Sequence, residues 1–179
     1  MPEHLTDQDS QPARTPQPRL RKPNATDGAA IWALVRACKP LDENSLYANI
    51  VQADHFRDTS VIAEAEGETL GWISGHMIPN TDTFFVWQVA VSDKARGLGL
   101  GRKMLLELLS RPETASARAL HTTITPDNAA SWALFRSLAR SLGGTLTDAP
   151  HYTRAQHFDG AHATEHLVQI TLPTQRAAA

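Results

Sequence analysis

Apolar positions along the chain recur first at helical spacing and then at strand spacing. In "TDGAAIWALVRACK", Ile31, Leu34, Val35 and Cys38 return every three or four residues. That period predicts a helix, which Thr26 or Asp27 can cap and Pro40 stops. A second helix is predicted from near Asp42, with Leu46, Tyr47, Ile50 and Val51 as its apolar stripe. A short extended piece around Leu20–Pro23 precedes both. "TSVIAEA" and "TLGWISGHMI" then read as strands joined at "EGE", a hairpin signal. "FFVWQVAVS" is a long aromatic and β-branched strand that ends at Asp93. After three alternate glycines comes a helix with Met104, Leu105, Leu108 and Leu109 on one face, ended by Pro112. "ALHTTIT" is the next strand, and "DNAASWALFRSLARSLGG" a capped helix with Leu134, Leu138 and Leu142 in one stripe and Gly143-Gly144 as its stop. "HLVQITL" closes the chain as a strand. Helices first, then an antiparallel meander, then strand–helix–strand–helix–strand: the order predicts one mixed α/β domain whose mainly antiparallel sheet is flanked by helices.

Bulk composition narrows the picture a little. The 179 residues suffice for one domain with a sizeable core. A formal net charge of -2 offers no electrostatic case for nucleic acid or for an acidic membrane surface. The single cysteine, Cys38, cannot form an internal disulfide, which fits a cytoplasmic location. There is no uncharged apolar run of about eighteen residues. The polar, proline-studded opening predicts a solvated tail over 1–18, and "TQRAAA" a frayed one over 173–179, leaving 19–172 as the folded unit. Arg14, Arg19, Arg21 and Lys22 are read as part of a soluble surface rather than as an anion site.

The chemistry concentrates at "VAVSDKARGLGLGRKMLLELL". Its spacing fails the dinucleotide fingerprint, because Arg102 or Met104 stands where the third glycine belongs. It fails the phosphate loop of nucleotidases too, since no lysine and hydroxyl follow the last glycine. What remains is Arg-x-x-Gly-x-Gly, with Arg96, Gly99 and Gly101 and an additional Gly97. Residues without a Cβ let main chain approach a ligand, and the first amides of the next helix are unpaired and partly positive. Such a bend suits a pyrophosphate.

Segment 86–109 resembles the acetyl-CoA-binding motif of the GCN5-related N-acetyltransferases, and the order of elements agrees with that fold. The resemblance implies that Arg96, Gly97, Leu98, Gly99 and Gly101 hold the CoA pyrophosphate, and that Val89 and Val91 offer backbone groups to the pantetheine arm. It places Asn128 at the start of the next helix, as a neighbour of that arm or simply as a helix cap. Many relatives carry in this helix a tyrosine that protonates the departing thiolate. Phe135 stands here instead, which leaves solvent or another group such as Tyr152 for that task.

"KPLDENSLYANIVQADHFRDTSVIAE", "GWISGHMIPNTDTFFVWQVAV" and "HFDGAHATEHLVQI" are similar to the L-2,4-diaminobutyrate acetyltransferases of ectoine biosynthesis. That similarity implies acetyl transfer to the 4-amino group of diaminobutyrate in a dimeric enzyme. Asp42 and Glu165 are the candidate anions for the substrate's ammonium groups, though Asp42 also suits a helix cap. Tyr47 and Trp87 are candidate pocket walls, or else stripe and sheet residues. An alkylammonium with a pKa of about 10 must lose a proton before it attacks, and Glu165 with His162 is expected to accept it. In an extended chain those two would face opposite ways. The histidines 151, 157, 162 and 166 match no zinc spacing, and no metal is expected. Cys38 sits in an apolar stripe and is read as a buried residue, not a nucleophile. Transfer to a different amine or a peptide N-terminus, and a silent CoA-binding sensor, are the competing readings.

Overall fold

A computed structural model of the chain describes residues 17–173. The expected tails therefore lie almost wholly outside the described residues, and Arg14 with them.

Among the described residues, seven strands form one sheet. They are β1 (Arg19–Arg21), β2 (Val61–Ala65), β3 (Glu68–Met77), β4 (Thr83–Val91), β5 (Ala119–Ile124), β6 (Leu146–Tyr152) and β7 (Glu165–Thr171), in the spatial order β1-β2-β3-β4-β5-β7-β6. Every pairing is antiparallel except β4 with β5. Among the described residues, four α-helices cover it: α1 (Gly28–Ala37), α2 (Leu46–His55), α3 (Leu100–Ser110) and α4 (Ala129–Leu142).

Strand alternation builds two cores from one sheet. Val61, Ala63, Ile73, Phe84 and Val86 point to one face and pack against Met104, Leu105 and Leu108 of α3 and Phe135 and Leu138 of α4. Ile62, Trp72 and Ala90 point to the other and meet Ile31, Leu34 and Val35 of α1 and Ala53 of α2. Of the basic residues near the start, Arg21 is tied into the fold. Arg21 donates two hydrogen bonds to Asp27, each of 2.8 Å, and one to Glu64 at 2.8 Å, and its hydrogen bonding holds the Asp27 carboxyl below the ordinary range.

Two expectations need correction. The second helix begins at Leu46, not near Asp42; the Ser45 hydroxyl caps it, accepting from the Ala48 amide. Its buried residues are Asn49, Gln52 and Ala53, while Leu46 and Tyr47 of the expected stripe are exposed. The helix is turned by its closest neighbour: a Cβ on Gly28 of α1 would lie 2.4 Å from Ile50 Cγ1, so α2 approaches α1 along the Ile50 side. The Asn49 side chain is drawn inward by donating to the Ser45 carbonyl at 3.0 Å. The second correction is β6, which the apolar pattern does not announce. It is an edge strand, exposed along nearly its whole length, and so tolerates Asp148 and Pro150 without alternation.

The site is positioned by the way β4 and β5 part. They pair only at Thr83–Ala119, Phe84–Leu120 and Phe85–His121. Just beyond, the β3–β4 register slips: Gly75 faces Val86 and Ser74 faces Gln88, which leaves Trp87 as the extra, bulged residue. A bulge bends its strand, and from Trp87 onward β4 has no partner in β5. Gly75 makes this possible, since a Cβ there would come within 2.8 Å of the Phe85 carbonyl oxygen and 2.7 Å of the Phe84 ring. We expect Gly75→Ala to destabilise the fold by about 1–3 kcal/mol through this overpacking, read as a lower midpoint in urea denaturation.

Candidate active site

Two cavities fill the gap between the diverging strands. The first, of about 780 Å³, is bounded by the glycine bend, the start of α4 and the turn after α1. The second, of about 470 Å³, lies between the end of β5, the turn after α1 and the segment that leads into β7.

The first cavity takes the residues predicted for the cofactor. Val89, Val91, Arg96, Gly97, Gly99, Gly101 and Asn128 all line it. Gly97 and Gly99 hold φ of 77° and 69°, the left-handed region that glycine adopts without steric cost. Gly99 caps α3, so the first helical amides open at the cavity, where their partial positive charge suits a phosphate. Gly101 allows close packing of α3 on α4: a Cβ there would stand 3.3 Å from Leu134 Cδ2. Leu98 does not line the cavity and is an exposed residue. Sequence reasoning missed Lys39 and Arg102, which with Arg96 bring three cations to this rim. Arg96 itself is paired with Asp93 at 2.7 Å. The donor set and the glycine cradle fit a polyphosphate.

Cys38 also reaches this cavity, where its thiol donates to the Val91 carbonyl at 3.3 Å. Burial pushes the thiol pKa up, away from the thiolate a nucleophile needs.

The second cavity gathers Asp42, Trp87, His162 and Glu165. His162 and Glu165 are brought together because the segment before β7 is a bend, not a strand. His162 Nε2 lies 3.1 Å from Asp42 Oδ2 and 3.8 Å from Glu165 Oε1, and its Nδ1 lies 2.8 Å from the Ala163 carbonyl oxygen. That carbonyl, then the charges of Asp42 and Glu165, raise the imidazole pKa. Burial raises the Glu165 carboxyl pKa above the ordinary carboxylate range, opposed by the charge of His162. Ligand atoms of the three residues lie within 4.8 Å of one another, which makes them the one cation cradle of this kind among the described residues. The other three histidines of the series do not join it. His166 pairs with Asp148 at 2.9 Å, His157 accepts from the Thr153 amide, and His151 packs on Tyr152.

Asp42 is held in place by a contact that the sequence does not announce. Gln88, next to the bulge, donates to the Asp42 carbonyl at 3.0 Å and accepts from Asn44 at 3.4 Å. Asp42 is therefore no helix cap; it sits on a loop tied to β4. Asn128 does cap α4, accepting from the Ser131 amide at 3.1 Å, and lines both cavities at the same time. Tyr47 and Tyr152 line neither cavity. Tyr47 stands on the exposed face of α2, and Tyr152 on the edge strand opposite Glu165.

Comparison with known proteins agrees with this geometry. Residues 29–139 match the model of the acetyltransferase (GNAT) family. The L-2,4-diaminobutyric acid acetyltransferase of Methylotuvimicrobium alcaliphilum is 45% identical over 152 residues, covering 84% of this chain and 88% of that protein. That of Halomonas elongata is 46% identical over 153 residues, covering 84% and 79%. Among solved structures, the diaminobutyrate acetyltransferase of Paenibacillus lautus, in complex with L-2,4-diaminobutyric acid and coenzyme A, superposes with a TM-score of 0.84 at 36% identity, over 91% of this chain and 99% of that one. With its glycine-bend helix, parted strands and acidic second cavity, the chain belongs to the GNAT family and, within it, to the diaminobutyric acid acetyltransferases.

Proposed function

We propose that this protein transfers the acetyl group of acetyl-CoA to the 4-amino group of L-2,4-diaminobutyrate, the step that prepares this diamine for ectoine formation. The observation that carries the reading is the junction of a phosphate-friendly cavity with a carboxylate-lined one at the point where β4 and β5 part. The identity to diaminobutyrate acetyltransferases and the likeness to the complex with diaminobutyrate and coenzyme A support the choice of substrates. The folded unit is proposed to be 19–172, acting as a homodimer inside the cell, where acetyl-CoA is made. No helix among the described residues is long and apolar enough to cross a membrane.

The residues divide the work by chemistry. The amides at the start of α3, with Arg96, Arg102 and Lys39, hold the pyrophosphate. The β4 main chain between Val89 and Val91, free of a β5 partner, aligns the pantetheine arm and polarises the thioester carbonyl. Asp42 and Glu165 bind the ammonium groups of the diamine, and the Trp87 ring forms a wall beside them. Glu165 takes the proton that makes the amine a nucleophile. Its desolvation favours this role, because a carboxylate with a raised pKa is a stronger base. His162 sits between the two carboxylates and passes the proton on to solvent. Direct attack needs no covalent enzyme intermediate, in keeping with the protonated, hydrogen-bonded Cys38.

The test is thiol release from acetyl-CoA with diaminobutyrate, ornithine, lysine and a short peptide, followed by mass analysis of the product. Diaminobutyrate is expected to be preferred and to carry the acetyl group on its 4-nitrogen; preference for a peptide, or CoA binding without turnover, overturns the reading.

The site chemistry predicts how variants respond. Glu165→Gln should lower kcat about 100-fold or more, and Asp42→Asn should raise the KM for diaminobutyrate about 10-fold with little change in that for acetyl-CoA. Activity should rise with pH as Glu165 deprotonates, along a limb placed above the ordinary carboxylate range. The charge of His162 lowers the Glu165 pKa, so His162→Gln should move this limb to higher pH; an unmoved limb in the pH–rate profile would separate the two residues. Light scattering should give twice the mass of the 19.6 kDa chain.

A further inference from the structure

The thioester must lie where the two cavities meet, since one holds its carrier and the other the attacking amine. Five residues line both: Pro40, Leu41, Val89, Asn128 and Ser131. Of these only Asn128 and Ser131 have polar side chains. The Asn128 oxygen is committed to capping α4. An amide nitrogen can donate a hydrogen bond but does not hand on one proton while taking another. A hydroxyl does both. The Ser131 hydroxyl makes no hydrogen bond to another described residue, and its side chain is partly buried. It stands one helical turn before Phe135 on the same face of α4, and the Phe135 ring, which has no proton to give, lines the second cavity.

We propose that Ser131 is a catalytic residue that carries a proton to the leaving sulfur. The proposal rests on the acetyl-transfer reading above. When the neutral amine attacks, a carbon–nitrogen bond forms and the carbonyl π pair moves to oxygen, leaving a positive nitrogen beside the sulfur. As the carbonyl re-forms, the carbon–sulfur bond breaks and its electron pair stays on sulfur. Nitrogen gives its proton to Ser131 Oγ while Ser131 gives its own to sulfur, so the hydroxyl is unchanged and no alkoxide forms. Nitrogen, carbon, sulfur, the hydroxyl oxygen and the two moving hydrogens close a six-membered ring. The ammonium thus loses one proton to the carboxylate side before attack and one to the thiol after it. The sum is an amide, free CoA thiol and one proton released.

The experiment compares wild type with Ser131→Ala and Ser131→Thr by thiol release, acetyl-CoA binding by calorimetry, and rate as a function of deuterium fraction in the solvent. Ser131→Ala is expected to lower kcat 10- to 100-fold while the Kd for acetyl-CoA stays within twofold. The isotope dependence, curved in wild type because two protons move together, should become linear. Ser131→Thr should restore most of the rate. A kcat within twofold of wild type in Ser131→Ala overturns the proposal. So does a loss confined to KM or to acetyl-CoA affinity, or a curved dependence that persists. The assay runs with whichever amine the wild type accepts, so the wrong acceptor would sink the diaminobutyrate reading and leave the Ser131 comparison standing.

Discussion

The structure depends on a hydrogen-bonding constraint: two adjacent parallel strands can separate only if something bends one of them. Here the bend is the bulge at Trp87, admitted by the missing side chain of Gly75 and fixed from the far side by antiparallel pairing to β3. Three pairs hold β4 to β5, and then the strands diverge. The edge of a sheet is thereby exposed in the middle of the molecule, an arrangement that carries a cost unless a ligand completes it. The pantetheine arm, a chain of amides, is chemically matched to that gap. In the proposed reading the cofactor completes the sheet, and the parted strands are the reason that both cavities exist.

The loop that follows α1 turns this gap into two compartments. Pro40 and Leu41 face both cavities, while Asp42 and Asn44 face only the second. Gln88, adjacent to the bulge, binds the Asp42 carbonyl. One strand irregularity therefore opens the gap at β4 and, through the neighbouring Gln88, anchors the loop that bears the Asp42 carboxylate. In the proposed reading the distance between thioester and acceptor is set by a few contacts within β4 and one side-chain bridge, which is how proximity is built from packing. The electrostatics follow the same division: Arg96, Arg102 and Lys39 gather at the first cavity, Asp42 and Glu165 at the second. In the proposed reading, phosphates and a diammonium ion are sorted to opposite ends.

Most of the fold was legible because its signals are local. The stripe of α1, the alternation of β3 and β4 and the glycine bend before α3 each declare themselves within a dozen residues. What failed was decided at longer range. The face that α2 buries is set by Gly28 meeting Ile50, a contact between helices that no periodicity encodes. Edge strand β6 needs no apolar alternation and so left no pattern. At the site, Gly97, Gly99 and Asn128 could be placed from the motif, and Asp42, His162 and Glu165 from resemblance. The meeting of His162 with Glu165 depends on a bend before β7 that spacing alone argued against. Gln88, Lys39 and Arg102 were missed because the bridge from Gln88 to Asp42, and the gathering of Lys39 and Arg102 at one cavity, join segments far apart in the chain.

The replacement of a helix tyrosine by Phe135 then has a physical consequence beyond the loss of an acid. A phenol one turn deeper in α4 would bring a polar group into a position that is 2% exposed here and packed in the main core. With phenylalanine the helix keeps an apolar ring there, and the proposed proton chemistry falls to the turn above, where Ser131 borders both cavities. A serine hydroxyl has too high a pKa to act as a free acid toward a thiolate, so it can serve only by exchanging protons with a neighbour that has just become acidic. The nitrogen of the adduct is such a neighbour: bonded to the reacting carbon, it holds a positive charge it must lose. In this chain the acceptor amine thus supplies the proton that frees the sulfur, and the enzyme's part is to hold a relay of the right length between them.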